Sequence, residues 1–462
     1  MQIQRLEYRP ALDYFQKILQ LENPVWLDSG VGTDSKNPPA NIDSRRFDIL
    51  TALPNRLLKV DTQEFDSLTP DNQDKSAISK IRETLAELTP VEINEDIPFC
   101  GGLIGYLTYE SNHAKQGIAR RDGAKTPQVL MGLYSWAIIL DHLKKAAQLI
   151  FHPDCPAEIK TSVSELIIQN NTPRERQNTK QEFQLQQAFQ ASQSESEYRQ
   201  KIETIINYLK AGDCYQVNLA QHFSAKYQGH CAQAYIKLRN LTPTPHSAYL
   251  GFNNAEVLSL SPERFVQVRG NQVETWPIKG TAPRSENPAL DAQLGRQLSD
   301  SEKNRAENLM IVDLMRNDLS ICCKPGSIRV PGLYELHSFP TVHHLVSRVN
   351  GELNDGLDAL SILDHCLPGG SITGAPKKRA MQIIQELEKR DRGVYCGCIG
   401  YLSSCGSMDT NIAIRTLQAD GEKLHAWGGG GIVVDSNPES EYQETLDKIR
   451  PLLKRLEQSL KA

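Results

Sequence analysis

The 462-residue sequence lacks any apolar run close to the roughly 18 residues that a membrane-spanning helix requires. Residues Met1 to Pro10 lack the apolar core of a secretory signal peptide. Charge of one sign is also scarce, since the formal net charge is only -5, and this balance gives no indication of a nucleic-acid surface. We therefore expect a cytoplasmic globular protein with neither a membrane nor a nucleic acid as partner.

The sequence also lacks a disulfide framework and a zinc pattern. Its 10 cysteines are scattered along a long chain, which predicts reduced thiols. Cys396, Cys398 and Cys405 lie close together, but no second pair and no nearby histidine completes a metal site. We expect these cysteines to be buried in strands.

Strand-like segments occur in runs with short gaps and do not alternate strictly with helices. This order predicts an α+β fold with antiparallel sheets. Residues 1–150 are predicted to be β-rich, residues 170–195 to form a polar linker, and residues 196–455 to mix strands and helices. The predicted helices are 71–88, 195–211, 299–315, 357–366, 376–390 and 438–457. Single strands are predicted at 129–140, 273–278, 397–402, 411–418, 423–427 and 431–435.

Short motifs that combine charged residues with glycine or proline follow one another through the second half of the sequence. They are Ser261–Phe265, Pro277–Thr281, Ala306–Asn308, Gly370–Lys377, Ile412–Thr416, Gly428–Val433 and Glu441–Lys448. Their order, over roughly residues 197–453, resembles that of the chorismate-utilising enzymes. The resemblance implies two large antiparallel β-sheets stacked face to face, helices on the outside, and an active site in the cleft. It also implies that residues 196–455 form the chorismate-binding catalytic domain.

The lysine of the Pro-Ile-Lys-Gly-Thr motif is predicted to lie between a strand and a turn. A lone lysine at a strand end is usually a solvated surface residue, and only the neighbouring motifs favour a catalytic role. The resemblance implies that Lys279 attacks C2 of chorismate and expels the C4 hydroxyl, after which ammonia attacks C4 and releases the lysine. Such a lysine must be neutral, so its pKa must be lowered. Direct attack by ammonia, with Lys279 acting only as a charge, is the alternative.

Three further catalytic residues follow from the resemblance. Glu263 would protonate the departing hydroxyl, and Thr281 would hydrogen-bond it. His344 matches a histidine near C2 of the substrate. A hydrogen-bonded histidine in the core explains His344 equally well.

A magnesium site is implied by the same resemblance, with Glu307 and Glu444 as ligands and Glu441 in the outer shell. Carboxylates are the ligands that Mg²⁺ prefers, and Glu441 and Glu444 share one face of a predicted helix. Asn304 stands where the family often has another glutamate. Without the neighbouring motifs, Glu444 and Lys448 are more simply explained as a surface ion pair.

The remaining candidates would hold the two carboxylates of chorismate. An arginine in an apolar strand is usually paired, and its forked donors suit a carboxylate. A run of glycines lets backbone N–H groups approach an anion, although it is also typical of a loose turn. The resemblance assigns substrate binding to Tyr395, Arg415, Gly428, Gly429, Gly430, Lys448 and Thr373.

A possible second ligand pocket lies near the N-terminus. Leu27–Gly30, which includes Ser29, resembles a stretch that lines a tryptophan pocket in some members of the family. The matching stretch Ser44–Asp48 departs from the family, because Arg45 stands where a serine is expected. Ordinary sandwich strands explain both stretches equally well.

With lysine at position 279, the sequence resembles the branch of the family that makes 4-amino-4-deoxychorismate for 4-aminobenzoate and folate. The sequence contains no Gly-x-Cys-x-Gly elbow followed by His-x-Glu, so ammonia would come from a separate glutaminase subunit or from solution. Isochorismate and salicylate synthases carry a lysine base where this sequence has Gln216, which cannot act as a base. The nucleophile is therefore expected to be ammonia and not water.

Two alternatives remain at this point. Anthranilate synthase component I resembles the sequence almost everywhere but has alanine at the position of Lys279. The chain could also be a ligand-binding regulator without catalysis. The joint presence of the candidate catalytic and metal-binding residues argues against this alternative. Those residues are Glu263, Lys279, Glu307, Arg415 and Glu444.

Overall fold

The computed structural model describes residues 1–32, 45–61, 76–94, 96–119, 121, 126–168, 182–253, 255–339 and 342–460. The helices are α1 Ala11–Ile18, α2 Ala77–Leu85, α3 Ala157–Ile167, α4 Glu195–Lys210, α5 Ala232–Leu241, α6 Pro288–Asp300, α7 Glu302–Ser320, α8 Ala359–Cys366, α9 Lys377–Leu387 and α10 Pro438–Glu457. The strands up to residue 228 are β1 Gln2–Leu6, β2 Val25–Asp28, β3 Phe47–Thr51, β4 Arg56–Val60, β5 Gly102–Leu107, β6 Val129–Tyr134, β7 Trp136–Asp141, β8 Ala146–Phe151, β9 Gln184–Leu185, β10 Gln190–Ala191 and β11 Gln216–Gln228. The later strands are β12 His246–Phe252, β13 Ala255–Ser261, β14 Arg264–Arg269, β15 Gln272–Thr275, β16 Ile278–Pro283, β17 Arg329–Ser338, β18 Val342–Glu352, β19 Gly374–Ala375, β20 Cys398–Ser403, β21 Met408–Ile412, β22 Thr416–Ala419 and β23 Lys423–Ile432.

These strands form two large antiparallel sheets, which confirms the predicted fold class. The 13-stranded sheet has the order β1-β8-β7-β3-β2-β12-β13-β22-β23-β11-β10, with β9 and β19 also paired to β11. The 10-stranded sheet has the order β16-β18-β15-β14-β21-β20-β5-β6-β4, with β17 on β18. Strands from the first 151 residues and strands from the catalytic half are neighbours in both sheets, at β2–β12 and at β5–β20. The predicted boundary at 170–195 therefore does not separate one sheet from the other.

Side-chain alternation along the strands explains why the sheets stack and why helices cover them. Val25 and Ile49 point to the same buried cluster as Ile104 and Tyr106 of the other sheet. Their chain neighbours, such as Trp26, pack on the opposite face in a second cluster with residues of α1, α3 and α5. Complete burial of each large apolar side chain contributes roughly 1.5–3 kcal/mol. None of the helices in the described ranges is long and apolar enough to cross a bilayer.

Two segments that were predicted as single strands cross from one sheet to the other. Residues 129–140 divide at Ser135 into β6, in the 10-stranded sheet, and β7, in the 13-stranded sheet. Residues 411–418 divide into β21 and β22 in the same way, with Arg415 at φ +49° in the connection. The predictions were wrong because strand-forming residues continue through both segments, so the local pattern gives no sign of the crossing.

The predicted division into two strands, 423–427 and 431–435, is also wrong. β23 continues through the glycines to Ile432 and pairs with β11 along its whole length. The predicted strand 273–278 ends at Thr275, and β16 begins at Ile278. Helices α1, α3, α5 and α6 were missed, although Asn287 caps α6 by accepting hydrogen bonds from Ala289 N and Leu290 N.

The helix signals were more reliable than the strand signals. The capping box of Ser194 and Glu197 opens α4 as predicted, and α10 has its predicted bounds. Of the predicted helix 71–88, residues 71–75 lie outside the described residues. Within the predicted linker, β9 and β10 pair with β11, while residues 170–181 lie outside the described residues.

Candidate active site

Lys279 lies in a bulged strand and not at a strand end. β16 pairs with β18, and the register shifts between Lys279, opposite Leu345, and Thr281, opposite His344. Gly280 takes φ +80° at the shift, where an added Cβ would lie 2.9 Å from Leu298 Cδ1. A bulge changes the direction of the side chains beside it. The Gly-Thr turn expected from the sequence is therefore a β-bulge, and this bulge orients Lys279 and Thr281.

The surroundings of Lys279 favour its neutral form. Its side chain is half-buried by surface area, but the protein atoms around the ammonium group lower its pKa by desolvation. The positive charge of Lys448 lowers the pKa further, while Glu307, Glu263 and Glu444 oppose the shift. A lowered pKa is what a lysine nucleophile requires.

Glu263 is a buried carboxyl group between β13 and β14. Burial raises its pKa to about 7, although the charge of Lys279 acts in the opposite direction. Ser371 Oγ donates a hydrogen bond to Glu263 Oε1 at 3.0 Å. Near neutral pH this carboxyl group is therefore a proton donor as readily as an acceptor. In the sequence, Ser371 is simply the second residue of the Gly-Ser-Ile-Thr motif. No sequence pattern indicates that its side chain reaches Glu263, 108 residues away in the chain.

Thr281 and His344 are brought together across the β16–β18 pair. Thr281 Oγ1 lies 2.9 Å from His344 Nδ1, in a hydrogen bond between an exposed threonine and a buried histidine. Burial lowers the pKa of His344 to about 3, and the charge of Arg415 acts in the same direction. His344 is therefore neutral, and its predicted place near C2 of the substrate stays a prediction.

Arg415 carries a half-buried guanidinium that has no side-chain partner in the described part of the chain. Burial lowers its pKa, and among the described residues it makes no hydrogen bond and no ion pair through its side chain. An unpaired guanidinium in such a place costs free energy unless an anion binds to it. Tyr395, assigned to the same carboxylate, stacks on Trp427 with ring centroids 5.8 Å apart, and its hydroxyl lies against Gly429.

The glycines of β23 allow helix α10 to approach the sheet. A Cβ added at Gly430 would lie 3.4 Å from Glu441 Oε2, 3.8 Å from Glu444 Oε1 and 4.0 Å from Lys448 Nζ. Lys448 Nζ donates to Gly429 O at 3.1 Å and pairs with Glu444 at 2.6 Å. The ion pair expected from spacing alone is thus formed, but it lies beside the glycine strand.

Two neighbouring glycines allow the role of this strand to be tested. An added Cβ at Gly428 would lie 2.6 Å from the backbone oxygen of Thr445. An added Cβ at Gly430 would lie 3.4 Å from its nearest neighbour among the described residues, Glu441 Oε2. We expect Gly428→Ala to lower the free energy of unfolding by about 1–3 kcal/mol through overpacking. We expect Gly430→Ala to keep the native melting temperature and to lower kcat/KM for chorismate by about 10-fold or more, because the methyl group takes room beside the charged groups. If Gly430→Ala keeps the native kcat/KM, this face of β23 is not part of the substrate site.

The two candidate magnesium ligands and the outer-shell candidate Glu441 face one region from two helices. Glu307 on α7 lies 3.8 Å from Lys303 Nζ, and the same lysine acts electrostatically on Glu441 and Glu444 of α10. Glu441 is buried and accepts a hydrogen bond from Ser436 Oγ at 2.7 Å, and burial raises its pKa.

No group of three or more His, Cys, Asp or Glu side chains in the described part of the chain is close enough to hold a metal alone. Mg²⁺ usually binds one or two carboxylates and completes its shell with water and substrate oxygens, so Glu307 and Glu444, which share Lys303 as a neighbour, stay candidate ligands.

Thr373 is fully buried in the loop that carries Ser371, its hydroxyl donates to Gly369 O at 3.0 Å, and its carbonyl accepts from Asn218 N, which pairs with Gly431. Its contact with substrate stays a prediction. Ser29 is buried in a separate polar network, where Arg45 Nε donates to Ser29 O at 3.1 Å. A cavity of about 80 Å³ beside this network lies between the sheets, and neither Lys279 nor Glu263 lines it.

The chain was compared with known proteins. The model of the chorismate binding enzyme family matches residues 42–454. Aminodeoxychorismate synthase component 1 of Salmonella typhimurium is 42% identical over 98% of this chain and 97% of its own length. Anthranilate synthase component 1 of Lactococcus lactis is 35% identical over 90% and 92%. The solved structure of anthranilate synthase component I from Streptococcus pneumoniae has a TM-score of 0.77 at 29% identity and covers 92% of this chain and 95% of that one. The chain therefore belongs to the family of chorismate binding enzymes.

Proposed function

We propose that the chain is the synthase component of aminodeoxychorismate synthase and converts chorismate and ammonia to 4-amino-4-deoxychorismate. The observation that carries the proposal is Lys279, a half-buried lysine whose pKa is lowered and which lies beside the proton donor Glu263. The relative from Salmonella typhimurium carries the name of this activity.

Chorismate would be held at both of its carboxylates. The unpaired guanidinium of Arg415, together with Tyr395, would bind the enolpyruvyl carboxylate. Lys448 and the backbone of Gly428–Gly430 would bind the ring carboxylate. Mg²⁺, held by Glu307 and Glu444 with Glu441 in the outer shell, would supply positive charge for this carboxylate.

Lys279 would act in two steps. Its neutral amine would form a bond to C2, both conjugated double bonds of the ring would shift, and the C4–O bond would break as Glu263 donates a proton, so that water leaves. Thr281 would orient the departing hydroxyl, and His344 hydrogen-bonds that threonine. Ammonia would then form a bond to C4 and return one proton to the Glu263 carboxylate, both double bonds would shift back, and the C2–N bond would break so that Lys279 leaves as a neutral amine.

Ammonia is proposed to come from a separate glutaminase subunit. The name of the Salmonella typhimurium relative, component 1, points to a second component in that enzyme. We expect the single chain to make product from chorismate, Mg²⁺ and ammonium at high pH, where more of the ammonium is deprotonated. We expect glutamine to support turnover only after the second protein is added. Chromatography with mass analysis of the products measures both results.

The product distinguishes this proposal from its rivals. Anthranilate from the ammonium reaction would identify an anthranilate synthase component I, and no product at all would favour a ligand-binding regulator. Glutamine-dependent turnover by the pure single chain would contradict the separate glutaminase while leaving the chorismate chemistry in place.

A further inference from the structure

Cys100 precedes β5 and Cys405 follows β20, so the two cysteines lie at the same end of one antiparallel strand pair. The last pair of the register is Gly102 with Ser403, and the backbone N–H of Ser404 donates to Gly101 O at 2.8 Å just beyond it. Cys405 lies in the turn after β20, where Gly406 N–H donates to Ser403 O at 2.9 Å. The side chains of the two cysteines interact there, and a disulfide requires Cβ atoms about 3.5–4.5 Å apart.

The local hydrogen bonds hold the two thiols around one hydroxyl group. Ser403 Oγ accepts a hydrogen bond from the backbone N–H of Cys100 at 3.0 Å and lies 3.3 Å from Cys405 Sγ. The side chains of Cys100 and Cys405 also hydrogen-bond each other. Gly101 takes φ +99° and Gly102 φ +145°, where an added Cβ at Gly102 would lie 2.2 Å from Leu402 O, so these glycines let the chain approach β20 closely.

The pair differs from the other cysteines of the chain. Cys405 is half-buried, whereas every other cysteine is buried. Its hydrogen bonds lower the pKa of Cys405 to about 5, while burial or its surroundings raise the pKa of each of the others. A partly accessible thiolate beside a second thiol is the arrangement from which peroxide oxidation proceeds to a disulfide.

We propose that Cys100 and Cys405 form a reversible disulfide when the protein meets a peroxide. The Cys405 thiolate attacks one oxygen of hydrogen peroxide, the O–O bond breaks, and hydroxide leaves, which gives a sulfenic acid. The Cys100 sulfur then attacks the Cys405 sulfur, the S–O bond breaks, and water leaves. Two thiols lose two electrons and two protons in total, and one peroxide is reduced to two waters. A small-molecule dithiol reverses the reaction by thiol–disulfide exchange.

The experiment treats the full chain with one equivalent of hydrogen peroxide, blocks the remaining thiols and maps the peptides by mass. We expect a cross-linked pair of peptides that contains Cys100 and Cys405, lighter by two hydrogen atoms, which dithiothreitol separates again. Cys100→Ser removes the second thiol, so it should leave a Cys405 sulfenic acid that dimedone traps. Cys155→Ser, which removes another buried cysteine, should still form the cross-link.

Two results would overturn the proposal. One is an unchanged number of free thiols after peroxide in the native chain. The other is oxidation of Cys405 to higher acids, or a disulfide between other cysteines, with Cys100 still free. Both results are measured on the native chain, so they do not depend on the folding of a variant.

Discussion

Replacing Lys279 with alanine is expected to lower the formation of 4-amino-4-deoxychorismate by on the order of 10³-fold or more, because the reaction loses its nucleophile. The fold should survive, since Lys279 is half-buried and the change removes a desolvated ammonium group from β16. The product ratio is expected to move toward anthranilate, because ammonia can then attack C2 directly. Steady-state product analysis beside a melting curve measures the loss of activity and the integrity of the fold.

The covalent role of Lys279 has a direct readout in the native enzyme. Without ammonia, chorismate and Mg²⁺ should add the mass of chorismate less one water to the chain, on the peptide that holds Lys279. The adduct should disappear when ammonium is added. Lys324→Ala, which removes a surface lysine paired with Glu352, is the matched control and should form the adduct normally. Unchanged rate and product in the alanine variant, with no adduct in the native chain, would show that Lys279 is not the nucleophile.

Glu307→Gln and Glu444→Gln are each expected to abolish turnover at ordinary Mg²⁺ while the fold stays intact. Each change removes one of two proposed metal ligands from a site that must neutralise a dianionic substrate. Removal of Mg²⁺ from the native enzyme by a chelator should have the same effect, and added Mg²⁺ should reverse it. Activity titrated against Mg²⁺ and calorimetric Mg²⁺ binding give two independent measurements.

The control for the metal prediction lies on the same helix. Glu439→Gln removes an exposed carboxylate of α10 that pairs with Arg199, and it should leave the Mg²⁺ dependence unchanged. A near-native rate of Glu307→Gln or Glu444→Gln at ordinary Mg²⁺ would remove that residue from the metal site.

Local signals made some of the helices predictable, and long-range packing hid much of the site. The capping box at Ser194 and the proline at Pro438 mark helix starts within a few residues of sequence, so α4 and α10 were confirmed. Ser371 and Glu263 meet only because a loop folds back on a strand end 108 residues away in sequence, and no local pattern records such a contact. The chemistry was inferred from the resemblance to a family, because composition and spacing alone favour a surface lysine at 279 and a loose turn at 428–431.

Both sheets combine strands from the first 151 residues with strands from the catalytic half, and this has a consequence for folding during synthesis. β5 is synthesised early, and its neighbour β20 appears about three hundred residues later, as the pairing of Gly102 with Ser403 shows. Until then one edge of β5 exposes unpaired backbone groups and the apolar side chains of the inter-sheet core. Pairing across such sequence separations is slow, because loop closure must precede the contacts that stabilise it. During synthesis the N-terminal strands therefore depend on protection from aggregation until the last third of the chain has left the ribosome.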